Sequence, residues 1–428
     1  MNKLISMLAV ALLGSLAACG GGSNSPTTGA GSNGTLLSQS TVATVSVAEL
    51  NIKATSTGLI ALSGLAKCDV TLTAIDYQTS GVQPGEVTNA TAAVLLPSGP
   101  NCPKEPAPLL AYARGSEVSK AYVLAKVDNP ETYLLMSLYA AQGYVVVATD
   151  YLGYAGSRYP YHPYLHADSE ASSVIDSIRA ARRVAGDVGV ALSGKVMLTG
   201  YSQGGHASMA AHRAIERDIP GEINVVAGGH MAGPYNLAQA IVEGATVPVA
   251  AGQFFAPFFI TAWQKIYGDL YRNTSEVFRA PYAADIENIF PGAFDYTTML
   301  EAGKVPADLN YLPTLFQPAY LADLQANQSS PTLRAARRND LLGWNPKSSM
   351  ALCGGAQDPT VGFALHAEAA QADFASRGIA VPVIDVDPII RGLAAAANQP
   401  VDLEQYHAVT APPLCMAALR EQLFDPAR

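Results

Sequence analysis

A serine flanked by glycines stands where an apolar run gives way to a run of small residues. The stretch is KVMLTGYSQGGHASMAAH over 195–212, and its centre, GYSQG, fits the pattern G-x-S-x-G. This pattern is typical of a strand that turns sharply into a helix and exposes the serine hydroxyl at the bend. The N-terminus of such a helix points N–H groups at the site, which suits a developing oxyanion. We therefore predict that Ser202 is a catalytic nucleophile.

A serine hydroxyl is a weak nucleophile, so it needs a base and a carboxylate that orients the base. In chains with this turn the order is serine, acid, histidine. Two histidines, His366 and His407, follow residue 345. His366 falls inside a segment with helical spacing, which favours a packed or surface role. His407 lies in LEQYHAVTAPP, which we expect to be a loop between the last strand and the last helix, and we predict that it is the base.

Three aspartates could supply the acid. Asp358 ends the loop CGGAQDPTV directly after a predicted strand, and Pro359 favours a turn there. Asp385 and Asp387 on the next strand are the alternatives. The first is expected to end a strand and the second to form a turn before a proline. We predict Asp358 as the acid.

The oxyanion hole needs two backbone N–H groups. One should come from Gln203, the residue after the nucleophile, and the second from the loop after an earlier strand. That loop is YARGSEV, and we predict Arg114, with Gly115 and Ser116 as alternatives. The other interpretation of Arg114 is a solvated loop cation.

The remaining histidines give no metal signature. His206 follows Ser202 in the predicted helix and is expected to pack or hydrogen-bond locally. His162 and His166 do not combine with a neighbouring carboxylate or cysteine at ligand spacing. The sequence also lacks a P-loop and a G-x-G-x-x-G after a strand. We predict no metal and no cofactor.

The elements that must position these residues alternate along the chain. A hairpin is predicted over 69–97. Short apolar runs follow at 107–115, 143–151, 195–200 and 223–229, with helical patterns between them, and the alternation resumes after 345. Such alternation predicts an α/β fold with a mostly parallel sheet and helices on both faces.

Residues 236–345 interrupt this rhythm. They contain no obvious parallel strand and are rich in aromatic residues. We predict an inserted, mainly helical cap between two parts of the core, 41–235 and 346–428. Its aromatic residues could line an apolar substrate site or form the cap's own core, and both interpretations stay open.

The chain has 428 residues and a net charge of −9, with no basic run that would suit a nucleic acid.

The N-terminus predicts export. Residues 1–18 combine Lys3 with an apolar segment, and LAAC resembles a bacterial lipobox, which implies cleavage before Cys19 and lipidation of its thiol. An ordinary secretory signal is the alternative. Residues 19–40 are expected to form a flexible tether, and Gly20 favours the outer membrane of a Gram-negative bacterium.

Four further cysteines suggest two disulfides in an exported protein. Proximity in the chain favours Cys68 with Cys102 and Cys353 with Cys415. Four free buried cysteines are the alternative. The second pairing would brace the loops that carry Asp358 and His407.

Taken together, the residues resemble an α/β-hydrolase of the lipase and esterase kind, in the secretory-lipase (lipase A-like) branch. The stretches that carry the resemblance are GYVVVATDYLGYAGS, SVIDSIRAARR, GYSQGGHAS, GPYNLAQAI and GGAQDPTVGF. The resemblance implies Ser202, Asp358 and His407 as the triad under a helical cap. Tannase-like relatives carry cysteines where this chain has Tyr201 and Tyr406, which argues against that branch. The oxyanion loop departs from the usual His-Gly form.

We therefore expect a carboxylic ester hydrolase that forms an acyl-enzyme on apolar or aromatic esters, either small molecules, lipids or polyesters. A serine peptidase of the same fold is one alternative, although no charged cluster for a peptide terminus is visible. A non-catalytic surface binding protein is the other, and the complete triad argues against it.

Overall fold

The computed structural model describes residues 33–428 and is organised around a nine-stranded sheet within them. The predictions for the signal peptide and for Cys19 lie outside the described residues. The strand order is β1-β2-β3-β5-β4-β6-β7-β8-β9. The strands are β1 Leu36–Val45, β2 Asp69–Ser80, β3 Val87–Ser98, β4 Ala107–Ala113, β5 Val145–Tyr151, β6 Leu192–Tyr201, β7 Asn224–Met231, β8 Ser349–Gly354 and β9 Val383–Asp385.

Antiparallel pairing at one edge gives way to parallel pairing across the rest of the sheet. β1, β2, β3 and β5 pair antiparallel in that order, and the predicted hairpin of β2 with β3 is confirmed. From β5 through β4 to β9 every pair is parallel. β4 and β5 are buried along their whole length, as expected for parallel strands covered on both faces. The predicted α/β fold class is confirmed.

The predicted tether is wrong at its C-terminal end. Residues 36–40 belong to β1, which pairs with β2 at the edge of the sheet. Most of β1 is exposed, and its sequence LLSQSTVATV does not alternate apolar and polar residues as a strand with one buried face does. An edge strand needs only backbone hydrogen bonds to one neighbour, and the Thr and Val residues of β1 favour an extended chain.

Helices pack on both faces of the sheet. Alternate strand residues point to opposite sides, so Leu109 and Ala111 of β4 join one apolar cluster while Leu110 and Tyr112 join the other. The helices are α1 Val47–Ser56, α2 Ile60–Ser63, α3 Pro130–Leu138, α4 Ala167–Asp187, α5 Gln203–Asp218, α6 Leu237–Gly244, α7 Gly252–Tyr267, α8 Tyr296–Glu301, α9 Leu312–Leu315, α10 Pro318–Ala326, α11 Pro331–Asn339, α12 Ala369–Ala375, α13 Asp387–Ala396, α14 Leu403–Gln405, α15 Ala411–Leu419 and α16 Asp425–Ala427.

The segment between β7 and β8 contains helices α6 to α11 and turns, and forms the predicted helical cap. Its aromatic residues build a separate apolar cluster around Phe258, Trp263 and Phe278, which are fully buried. Val118 and Tyr164 of the α/β core join that cluster. The cap therefore has a core of its own and rests on loops at one edge of the sheet.

Two disulfides cross-link the described chain, and the predicted pairing is confirmed. Cys68 bonds to Cys102, and Cys353 at the end of β8 bonds to Cys415 of α15. Within residues 33–428, no helix combines the length and the apolar character needed to cross a bilayer.

Candidate active site

The turn between β6 and α5 holds Ser202 in a strained conformation. Its φ of 58° and ψ of −123° lie in a region that residues with a side chain rarely adopt. A Cβ added to Gly204 would lie 1.8 Å from the carbonyl oxygen of Ala113, at the end of β4. The second glycine of the motif is therefore required because α5 begins against the backbone of a neighbouring strand. The turn predicted from the motif is present.

The structure brings Ser202, His407 and Asp358 together. Nε2 of His407 lies 2.8 Å from Oγ of Ser202, and Nδ1 lies 2.6 Å from Oδ2 of Asp358. A carboxylate only accepts hydrogen bonds, so Nδ1 carries the proton and Nε2 is left to accept from the serine hydroxyl. Oδ1 of Asp358 accepts the N–H groups of Thr360 and Val361. This arrangement can take a proton from Oγ and stabilise the imidazolium that results.

His407 does not lie in a simple loop, as predicted, but in a π-helical turn over Tyr406–Thr410. Insertions of this kind are frequent at functional sites. The hydroxyl of Tyr406 donates to Oδ1 of Asp387 at 2.9 Å and fixes the turn. The prediction missed this anchor because nothing in the local sequence marks the tyrosine as buried.

The two alternative acids support the loops instead. Asp387 accepts a hydrogen bond from the Tyr406 hydroxyl and forms an ion pair with Arg391. Oδ1 of Asp385 accepts the N–H groups of Ala356 and Asp387. Neither carboxylate is a hydrogen-bond partner of His407, whose Nδ1 faces Asp358.

One predicted oxyanion donor, Gln203, directly follows Ser202. Gln203 is the first residue of α5, and within residues 33–428 its backbone N–H has no hydrogen-bond partner. The N–H of Gly115 donates to Oε1 of Glu131 at 3.1 Å, which removes that alternative. The hydroxyl of Ser116 is hydrogen-bonded to that of Tyr164. The second donor, predicted to be the N–H of Arg114, stays a prediction.

The side chain of Arg114 is fully buried, so its interpretation as a solvated cation is wrong. The guanidinium donates to the carbonyl oxygens of Gly115 and Asp150 and lies 4.0 Å from the ring of Tyr154. These contacts hold the loop after β4 in place. Burial raises the pKa of the Asp150 carboxyl to about 6.

A buried polar network lies behind Gln203. Its side-chain Nε2 donates to Nε2 of His162 and to Oε1 of Glu170, both at 2.7 Å. Burial lowers the pKa of His162 to about 3, which keeps this acceptor neutral. Oε2 of Glu170 lies 2.6 Å from Nδ1 of His206, whose Nε2 donates to the carbonyl oxygen of Asn339. The local hydrogen bonding expected for His206 is present, but no local pattern marks Glu170 as its partner.

A cavity of about 590 Å³ opens onto Ser202. Its size is typical of ligand pockets. The walls are mostly aliphatic and aromatic, and they come from the cap and from the loop after β8. Both interpretations of the cap aromatics hold, because some form its core while others line this cavity. The aromatic and histidine wall residues are Tyr164, Phe255, Phe259, Tyr311, Phe316, Tyr320, Phe363 and His366.

Across residues 33–428, no group of three or more potential ligand side chains could hold a metal ion.

Together the sheet order, the turn at Ser202 and the cap define an α/β-hydrolase. Residues 121–278 match the secretory lipase family. The chain is 34% identical to the rice cell wall degrading esterase LipA of Xanthomonas oryzae, with a TM-score of 0.84, over 93% of this chain and 100% of that one. The chain belongs to the lipase and esterase family of the α/β-hydrolases, a family of ester hydrolases.

More distant structures share the fold alone. A protein of Legionella pneumophila is 21% identical, with a TM-score of 0.77 over 92% of this chain and 98% of that one. Candida antarctica lipase A in its closed state is 17% identical, with a TM-score of 0.59 over 89% of this chain and 83% of that one. No match was found among curated proteins.

Proposed function

We propose that this protein is a serine carboxylic ester hydrolase in which Ser202 is the nucleophile, His407 the general base and Asp358 the orienting acid. The observation that carries the proposal is the pair of contacts on His407, 2.8 Å to the Ser202 hydroxyl and 2.6 Å to Asp358. Membership in a family of ester hydrolases supports the reaction class.

The reaction proceeds in two halves. Oγ of Ser202 attacks the acyl carbon while Nε2 of His407 takes its proton, and the carboxylate of Asp358 stabilises the imidazolium. The same imidazolium then gives its proton to the leaving alcohol, which leaves an acyl-enzyme on Oγ. Water, deprotonated by His407, attacks the acyl carbon; the bond to Oγ then breaks as the imidazolium returns the proton to Oγ, and the acid is released.

The negative charge on the tetrahedral oxygen is stabilised by backbone N–H groups. Gln203 supplies the first, because its N–H lies at the N-terminus of α5 and has no partner within the described chain. Arg114 supplies the second from the loop after β4. Its buried guanidinium keeps that loop rigid, which preserves the spacing of the two donors.

The substrate carries an apolar or aromatic acyl or alcohol group. The aliphatic and aromatic walls of the 590 Å³ cavity favour such groups because they remove apolar surface from water. The related LipA, a cell-wall-degrading esterase, is consistent with an ester bond as the target. Small esters, lipids and polyesters all present this chemistry, and no nucleic acid is involved.

The protein acts outside the cytoplasm, attached by a lipid on Cys19 to the outer membrane of a Gram-negative bacterium. The apolar segment before LAAC and the Gly/Ser-rich residues after it support this placement. The domain arrangement is a signal peptide over 1–18, a tether that ends before β1, a core, a cap over 236–345 and the remaining core.

One experiment tests the reaction class and the nucleophile together. A fluorophosphonate probe is reacted with the protein, and the labelled residue is mapped by mass spectrometry. We expect the label on Ser202, and we expect Ser202→Ala to lose both the label and the hydrolysis of p-nitrophenyl esters. Cleavage of peptide anilides in preference to esters would favour the peptidase, and neither labelling nor turnover would favour a binding protein.

A further inference from the structure

His366 occupies an unusual place on the wall of the cavity that opens onto Ser202. It lies in a second π-helical turn, Ala364–Glu368, directly after the loop that carries Asp358. The residue is 5% exposed and lines the same cavity as Ser202. The sequence favoured a packed or surface role, but a nearly buried imidazole on a mostly apolar wall calls for another explanation.

The hydrogen bond on one ring nitrogen decides which nitrogen of His366 carries the proton. The backbone N–H of Asn236, at the start of the cap, donates to Nδ1 of His366 at 3.2 Å. An N–H group cannot accept, so Nδ1 is the acceptor and Nε2 bears the hydrogen. Burial lowers the pKa of His366 to about 3, which keeps the ring neutral in this tautomer at neutral pH.

The Nε2–H group has no internal partner. Within residues 33–428, no hydrogen bond to Nε2 of His366 is found, and this atom is not one of the fully buried polar atoms that lack a partner. Nε2 therefore keeps some accessible surface, on a residue that lines the cavity. Two other polar groups of the wall are already paired, since the hydroxyls of Tyr164 and Tyr320 bond to those of Ser116 and Thr332.

A donor left open on a mostly apolar wall favours a ligand that brings an acceptor. Without such an acceptor, a desolvated N–H loses the hydrogen bond that it makes to water. Sites of this kind combine apolar walls with a few placed polar groups that fix the orientation of the ligand.

We propose that His366 is a specificity-determining residue whose Nε2–H donates a hydrogen bond to a second oxygen of the ester substrate, away from the reacting carboxyl group. This inference rests on the proposed function and names its substrate class as esters with an additional ether, hydroxyl or carbonyl oxygen. The hydrogen bond selects among esters and takes no part in proton transfer.

The test compares p-nitrophenyl hexanoate with analogues in which one methylene of the acyl chain is replaced by an ether oxygen, at each position in turn. A parallel set of hexanoate esters carries the ether oxygen in the alcohol. In the wild type, kcat/KM for at least one analogue should exceed that for its neighbours in the series. The quantity of interest is the ratio of kcat/KM for that analogue to kcat/KM for the matched hexanoate.

His366→Asn removes the donor and keeps the acceptor. Its Oδ1 can replace Nδ1 in the bond from Asn236, but the shorter side chain has no N–H at the position of Nε2. We expect the ratio to fall by about tenfold, the effect of one lost hydrogen bond. His366→Gln, which places an N–H near Nε2, should restore most of it. If His366→Asn does not fold, His366→Met serves as the donor-free variant.

The outcomes separate the two proposals. A ratio that stays the same in the donor-free variants, or a wild type that does not distinguish the ether positions, would overturn the role of His366 and leave the ester hydrolase intact. A wild type that cleaves no ester in the series would overturn the proposed function and this inference with it.

Discussion

Nε2 of His407 lies 2.8 Å from Oγ of Ser202, although 205 positions separate the two residues in the chain. The sheet brings the loops of Ser202 and Asp358 together, and Asp358 holds His407 through Nδ1. Ser202 follows β6 and Asp358 follows β8, and these strands run parallel on either side of β7. Their carboxyl ends meet at one edge, where ligands bind in open α/β sheets.

The first prediction concerns the tautomer of His407. In Asp358→Asn, the amide oxygen can still accept from Thr360 and Val361, but the amide N–H₂ then faces Nδ1 of His407. The histidine must turn to the tautomer with hydrogen on Nε2, which cannot take a proton from Ser202. We expect kcat to fall by about 10³- to 10⁴-fold, as measured on p-nitrophenyl butyrate.

The matched control for this variant is Asp385→Asn, which changes an alternative acid at the same end of the sheet. Its carboxylate bonds to backbone N–H groups and not to His407. A greater loss of kcat in Asp385→Asn than in Asp358→Asn would show that the acid is Asp385 and not Asp358.

The second prediction concerns the network behind the oxyanion hole. In Glu170→Gln, the amide N–H₂ can donate to Nδ1 of a neutral His206, and the charged oxygen that accepts from the Gln203 amide becomes a neutral, weaker acceptor. Gln203 is then held less firmly, so its backbone N–H is less well aimed at the developing oxyanion. We expect kcat to fall by about tenfold with KM changed by less than about twofold.

Asp176→Asn is the control for that effect, because Asp176 is another buried carboxylate of α4. Its partners are Thr79 and Arg179, and it makes no hydrogen bond to Gln203. We expect this variant to lose stability and keep kcat. Equal losses of kcat in both variants would show that the effect of Glu170 is merely structural.

The third prediction separates the two disulfides. They close chain loops with sequence separations of 34 and 62 residues, so replacing either pair by serine should lower the free energy of unfolding by about 4 kcal/mol.

The two disulfides should differ in their effect on activity. Only Cys353 and Cys415 join β8, which leads to Asp358, to the helix that follows His407. At a temperature where both variants are folded, we therefore expect kcat to fall in the variant without this second bridge and to hold in the other. Urea unfolding and initial rates provide the two measurements, and a larger loss of kcat without Cys68–Cys102 would contradict the bracing role.

The fourth prediction concerns stability in acid. The pKa of His366 is lowered from 6.5 to about 3 by burial. Above pH 6.5 the ring is neutral in both states, and as the pH falls toward 3 only the unfolded chain binds the proton. Stability is therefore lost as the pH falls through this window, by about 1.4 kcal/mol per pH unit for this group. Urea unfolding between about pH 6 and pH 4 should give a shallower dependence in His366→Asn, and an unchanged slope would argue against the lowered pKa.

Local patterns along the chain were enough to predict much of the fold. The apolar runs of β4 to β8 and the small-residue helix after Ser202 can be recognised from neighbouring residues alone. β1 was missed because an edge strand with two exposed faces carries no apolar alternation. The sequence predicts a loop at His407 because the π-helical form of this turn depends on the distant hydrogen bond between Tyr406 and Asp387.

By itself, the sequence determined the residues available for chemistry and their order: a serine at a sharp bend, an aspartate after a later strand and a histidine near the C-terminus. Only the tertiary structure decided which polar groups meet. It pairs Asp358 with His407, Asp387 with Tyr406 and Glu170 with Gln203 through hydrogen bonds. The physical reason is that hydrogen bonds act over about 3 Å, and the folded sheet sets which distant side chains come within that range.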